Sequence, residues 1–280
     1  MKVDATRLFA ADDRAQCDPI SSPGTRFAVA GDWHSRVQTA MDSLDKAHAA
    51  GARTVLHTGD LGVWRGKEFY LDALAGRLAL LDMAVMFVDG NDEDHDRLAL
   101  YPLRPDGLRV VRPRLYHLPR GFRWVWPGGL RCMALGGGVS LDRALRTPKV
   151  DWWPEEELTQ GDLERAVAGG PVDLMLTHDC PFGVEPEDAF VTGLWPERER
   201  NRAQRHREVL AQVVHRVRPA RLVHAHLRGA HETSLVLSEG GFCRVTGLAR
   251  NGDPGEPLLL TVADLRSDVV VRDWGSMPSP

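Results

Sequence analysis

The sequence predicts an α/β protein with two β-sheets. Two observations carry that reading, and a third sets the domain's start. Short apolar runs alternate with helix-spaced segments through residues 27–88, and polar residues follow each run directly. Beyond about residue 107 the runs become short and are split by Pro and Gly, the pattern of antiparallel strands in a second sheet. Residues 1–25 mix charges with Pro19, Pro23 and Gly24, which predicts a poorly ordered or covering arm. FAVA (27–30) reads as a buried strand ending at Gly31-Asp32. Val37, Ala40, Met41, Leu44 and Ala47 then recur at helical spacing up to Gly51. TVLHT (54–58), a helix over 67–80 and AVMFV (84–88) complete two parallel βαβ units. LRVV, LYHL, FRWVW and LRCMAL are the antiparallel candidates. Helices are predicted near 155–168 and 200–217, and strands at VDLMLT (172–177) and RLVHAH (221–226). The stretch 231–272 reads as three or four more strands, and 273–280 as a loose tail, leaving 26–272 as a single domain.

Composition narrows the function. The chain has 280 residues, 43% of them hydrophobic and 26% charged, which is the balance of a folded globular chain. Its net charge of −4 does not favour a nucleic-acid partner. No apolar run approaches the roughly 20 residues that span a bilayer, so no membrane association is expected. The N-terminus carries charges throughout and lacks an apolar signal core, which predicts a cytoplasmic protein. Cys17, Cys132, Cys180 and Cys243 are scattered without a C-x-x-C pair, as expected of free thiols.

Five polar clusters sit where strands end: Gly31-Asp32-Trp33-His34, Gly59-Asp60, Gly90-Asn91-Asp92, Thr177-His178-Asp179 and His224-Ala225-His226. Ligands of open α/β sheets bind just outside the carboxyl ends of the strands, so these loops can converge. Imidazole nitrogens mixed with carboxylate and amide oxygens suit a divalent transition metal. In extended backbone, Asp-x-His and His-x-His each put two side chains on one face. Glycine before Asp32, Asp60 and Asn91 allows a sharp turn and leaves room for metal.

The ordered set resembles the calcineurin-like metallophosphoesterase superfamily, whose motifs run D-x-H, G-D, G-N-H-[DE], [GT]-H and G-H-x-H. The resemblance covers roughly residues 26–232. The blocks GDLGVW, DGNDEDHDRL, GGGVSLDR and VDWWPEEEL look like a bacterial branch of it with GDxGxW, DGNHExH and SWWPEEE-type blocks. It implies a four-layer α/β/β/α sandwich and two divalent ions, Mn²⁺, Fe²⁺ or Zn²⁺. Carried over by position, Asp32, His34 and His226 hold one ion, Asn91, His178 and His224 the other, and Asp60 bridges both. It also implies a hydroxide between the ions that attacks phosphorus.

Three departures from the family pattern stand out. Asp92 occupies the place of the usual His beside the Asn ligand. An ordinary aspartate is ionised at pH 7 and makes a poor acid, which predicts phosphodiesters ahead of monoesters. Asp92 read as a turn residue, or as an added ligand, remains open. Val63 replaces an Asp common in relatives. Val223 stands where G-H-x-H would place Gly.

The remaining polar residues divide between chemistry and packing. His95 is a second candidate acid, or merely a helix-start histidine. Arg143 and Arg146 are candidates for substrate phosphate, with surface ion pairs as the alternative. Trp152 and Trp153 read as packing, His57 as a core histidine, and the arginine-rich stretch 197–221 as a solvated helix face. Cys180 reads as a small buried residue, and His231 shows no ligand spacing. The expected partner is a phosphorylated small molecule or nucleotide. The competing reading is a metal-binding scaffold with little turnover.

Overall fold

A computed structural model describes residues 19–20, 24–184, 195–227, 229–249, 253 and 255–274, with side chains described only as far as 268. The expected arm and tail therefore fall largely outside the described residues. β1 (Arg26–Ala30), β2 (Thr54–His57) and β3 (Ala84–Phe87) are parallel neighbours joined by α1 (Val37–Ala49) and α2 (Glu68–Leu81). Short α3 (His95–Leu100) follows β3. In α2, Leu71, Leu74 and Leu78 recur at helical spacing and are buried, so this helix covers the sheet through one stripe.

β4 (Arg109–Arg112) and β5 (Leu115–His117) differ from expectation. β5 lies parallel beside β3, and β4 pairs antiparallel with it, so both extend the first sheet. With β12 (Leu258–Thr261), the first sheet runs β12-β1-β2-β3-β5-β4. The second sheet contains β6 (Arg123–Trp126), β7 (Leu130–Leu135), β8 (Leu174–Thr177), β9 (Arg221–His224), β10 (His231–Val236) and β11 (Phe242–Gly247), in the order β10-β11-β9-β8-β7-β6. It is mixed rather than antiparallel: β7, β8, β9 and β11 run parallel to one another, flanked by antiparallel β6 and β10.

Strand alternation sorts the core into three layers of side chains. Phe27, Val29, Leu56 and Met86 face Trp126, Ala134, Leu174 and Val223 across the two sheets. Ala28, Val55, Val85 and Phe87 point the other way, onto α1 and α2. On the far side, Met133, Met175 and Leu222 pack against α4 (Gln160–Ala168) and α5 (Glu197–Val217). The result is an α/β/β/α sandwich.

Of the three or four strands read over 231–272, β10, β11 and β12 form, and the end of the stretch departs from that reading. Residues 262–274 form a helix, α6 (Val262–Trp274). Its start is set by a capping pair: Thr261 Oγ1 accepts from the Asp264 N–H at 3.2 Å, and Asp264 Oδ2 accepts from the Thr261 N–H at 2.6 Å. This reciprocal pair outweighs the β-branched run Val269–Val271.

Candidate metal centre

Strands β1, β2, β3, β8 and β9 end on the same side, and the polar residues just beyond them meet there. Two groups of potential ligands form. Asp32, His34 and Asp60 make one, and Asp60, His178 and His226 the other; within each group the ligand atoms lie within 4.8 Å of one another. Asp60 belongs to both.

The chain reaches these positions by leaving extended geometry. Asp32, His34, Asp60 and His226 have φ of 55°, 48°, 55° and 61°, a left-handed region that non-glycine residues rarely adopt. The close approach of β3's end depends on Gly90, where a Cβ would stand 2.1 Å from Asp60 Oδ1.

Lone pairs converge at the centre. The Thr58 carbonyl can only accept, so His178 Nδ1, 2.8 Å away, carries the ring proton. In the neutral ring His178 Nε2 is then bare, 3.0 Å from Asn91 Oδ1 and 3.4 Å from Asp60 Oδ1. Asn91 is held in that sense because its Nδ2 donates to Ser140 Oγ at 3.1 Å. Three acceptors aimed at one point call for a cation, which is the donor set a divalent ion requires. The electrostatics agree. Burial opposes a charge on His178, but the carboxylates of Asp60 and Asp32 outweigh it and raise its pKa. Burial likewise opposes a charge on His34, yet the hydrogen bond it donates to Asp92 and the Asp60, Asp32 and Asp92 charges push it up to about 9. Burial lowers His226 to about 4, leaving a neutral ring ready to ligate.

Ser140 and Glu156 are site residues that sequence reasoning missed. Ser140 Oγ donates to Glu156 Oε2 at 2.6 Å, and the Ser140 N–H to Glu156 Oε1 at 3.1 Å. Glu156 has no exposed surface and is ion-paired to Arg202 of α5. Arg202 also binds Glu157 and Glu199. So part of the arginine-rich helix is no solvated face: Arg202 and Arg207 are buried, whereas Arg198 and Arg205 are exposed. The only foreshadowing was the glutamate run after Trp152-Trp153. Glu93 is a further buried support, its carboxylate accepting from the Gly62 and Gly90 N–H groups at 3.1 and 2.7 Å. Burial and the Asp60 charge hold its pKa well above the usual carboxylate range.

The remaining candidates fall as follows. Asp92 Oδ2 is 3.0 Å from His34 Nδ1, and its Oδ1 accepts from Arg146 Nη1 at 2.9 Å. Burial pushes the Asp92 pKa up, but the bond to His34 and the charges of His34 and Arg146 win and lower it. Arg146 is also held by Asp142. Arg143 instead lies over the Trp152 ring, 4.2 Å from its centroid. Trp153 is buried and packs edge-on against Trp64. His95 is half-buried, with the charges of Asp89, Arg120 and His117 acting on it, and desolvation lowers its pKa to about 4. His57 is a core residue, edge-on to Trp33.

His224 departs from expectation. It is the last residue of β9, and its Nε2 lies 3.3 Å from His231 Nε2, in a group with Cys180. Period-two alternation does not carry on to His226, because the backbone reverses to φ 61° there. His226 therefore joins Asp60 and His178, and His224 does not. Val223 in the supposed glycine position was the signal.

The sequence profile described as calcineurin-like phosphoesterase matches residues 25–231. The chain belongs to that family. No curated protein matches it. Among solved structures, it is similar to the TT1561 protein of Thermus thermophilus, at 15% identity and a TM-score of 0.51, over 87% of this chain and 96% of that one. A dimetal phosphatase from Danio rerio is more distant, at 12% identity and a TM-score of 0.47, over 81% of this chain and 88% of that one. This calcineurin-like phosphoesterase thus has the metal-dependent phosphoester chemistry of its family, on the fold shared with the Thermus protein. None of its described helices is long and apolar enough to cross a membrane.

Proposed function

We propose that the chain is a dimetal phosphoesterase that cleaves phosphodiesters ahead of monoesters, with a nucleotide or other phosphorylated small molecule as substrate. The observation that carries the reading is the Asp60 carboxylate, shared by two ligand groups. Asp32 and His34 would hold one ion, Asn91, His178 and His226 the other, and Asp60 both. Bound there, the ions would supply a water acidified toward neutral pKa and positive charge for the phosphoryl oxygens. Mn²⁺, Fe²⁺ and Zn²⁺ all suit these donors.

The chain's own residues set the preference. Asp92 holds no proton to give a leaving group, since His34 and Arg146 keep it ionised. General-acid help of about 10²–10⁴-fold is therefore missing, which favours esters whose leaving group departs as a stable anion. Asp92 orients His34 through Nδ1 and positions Arg146 beside the first ligand group. Arg146 is the residue we assign to a non-bridging phosphate oxygen; neither Arg143 nor His95 takes part.

The test is hydrolysis of bis-p-nitrophenyl phosphate and p-nitrophenyl phosphate with Mn²⁺, beside Asp60→Ala. We expect diester cleavage faster than monoester cleavage in wild type, and loss of both activity and bound metal in the variant. Wild-type turnover in Asp60→Ala would overturn the assignment. Metal bound without cleavage of either ester would favour the scaffold reading.

A further inference from the structure

Outside the Asp60 groups, one more cluster among the described residues has the chemistry of a metal site. His224 ends β9 and His231 begins β10. The His224 Nδ1 faces the carbonyl of Ala225 at 2.9 Å, and the His231 Nδ1 faces that of Gly229 at 3.1 Å. A carbonyl only accepts, so each ring keeps its proton on Nδ1. The two Nε2 atoms then face one another at 3.3 Å. That contact is repulsive unless a cation lies between them. The Cys180 sulfur, fully buried, lies within 4.8 Å of one ring nitrogen of each histidine.

We propose that Cys180, His224 and His231 form a further metal site, separate from the Asp60 groups, that takes an ion of the Zn²⁺ class. One thiolate and two imidazoles are three of the four ligands of a tetrahedral Zn²⁺ site. The thiol now points at the Pro181 carbonyl, 3.5 Å away; on ligation it releases its proton to solvent, and the sulfur lone pair forms the new bond. Room for the imidazole is built in: a Cβ at Gly247, opposite His231 in the β10–β11 pair, would stand 2.2 Å from His231 Cε1. The fourth position has a route to solvent. A cavity of about 290 Å³ is lined by His231, Thr246 and Gly247, and the buried Thr246 hydroxyl there has no hydrogen-bond partner among the described residues.

The test uses Co²⁺ as a spectroscopic probe in the full chain. A thiolate ligand gives Co²⁺ a near-ultraviolet charge-transfer band that oxygen and nitrogen ligands do not, and the Asp60 groups contain no cysteine. We expect the band in wild type and in His178→Ala. We expect its loss in Cys180→Ser, together with one equivalent of bound Zn²⁺ by elemental analysis. His231→Gln, at the partly exposed start of a strand, should weaken Zn²⁺ binding at this site at least about tenfold. Saturating Co²⁺ without the band in wild type overturns the site, and so does a band unchanged in Cys180→Ser. Should Cys180→Ser not fold, unchanged Zn²⁺ affinity in His231→Gln overturns it equally, since a ligand cannot be removed without cost.

Discussion

Metal entering the Asp60 groups must displace protons, and His34 is the main source. Its pKa is pushed up to about 9 because the Asp92 hydrogen bond and three carboxylates outweigh burial. At pH 7 such a ring is about 99% protonated, so binding an ion through it releases about one proton. Competition with that proton lowers apparent affinity roughly 100-fold at pH 7, and affinity should rise about tenfold per pH unit from 7 toward 9. Glu93, also held protonated by burial and Asp60, adds a further fraction as a cation nearby pulls its pKa down. The assay is calorimetric titration of Mn²⁺ into chelator-stripped protein, in buffers of different ionisation enthalpy. Wild type should release between about one and two protons at pH 7. His34→Asn should release about one fewer, with a flatter pH dependence. Binding without proton release in wild type, or equal release in the variant, would refute the reasoning. The same shift has a stability sign. A histidine whose folded pKa lies above its unfolded 6.5 stabilises fully below that pH and loses the contribution as pH rises through 9. For His34 this amounts to about 3 kcal/mol. Glu93, raised likewise, acts in the same direction, so the stripped protein should melt at lower temperature as pH climbs from 6 to 9.

Ser140→Ala removes the acceptor that orients the Asn91 amide; kcat/KM and Mn²⁺ affinity should each fall about 10–100-fold, with the far-ultraviolet spectrum unchanged. An unaffected Mn²⁺ titration would show that Asn91 needs no such support. Asp92→His restores an imidazole beside Asn91 and should raise p-nitrophenyl phosphate hydrolysis, by up to about 10²-fold, over the wild-type rate. A flat result would mean that this position has no bearing on the leaving group. Gly90→Ala puts a Cβ 2.1 Å from Asp60 Oδ1. It should cost about 1–3 kcal/mol in thermal unfolding and abolish metal binding.

Much of the fold was legible because its signals are local. Helical spacing of Leu44 or Leu71, and apolar runs such as Ala28–Ala30, depend on residues only a few positions apart. Partnering was not legible. β5 joins β3, and the β4–β5 pair sits in the first sheet, through hydrogen bonds made only after residues from Val85 to Leu115 meet in register. Helix α6 was hidden by its valines, although its T-x-x-D start was present in the sequence.

The site divides along the same line. The sequence by itself put acidic, amide and imidazole groups after the ends of five strands, through residue type and the turn after each strand. The place of Asp60 between the others came from the family resemblance. Only the tertiary structure decided which imidazole goes where. One left-handed residue at 226 cancels the alternation that would have sent His224 with it, and His224 meets Cys180 and His231 instead. Only the tertiary structure, too, places Ser140, Glu156 and Arg202 behind Asn91. Their links span 49, 16 and 46 positions, and no local pattern records contacts at such separations.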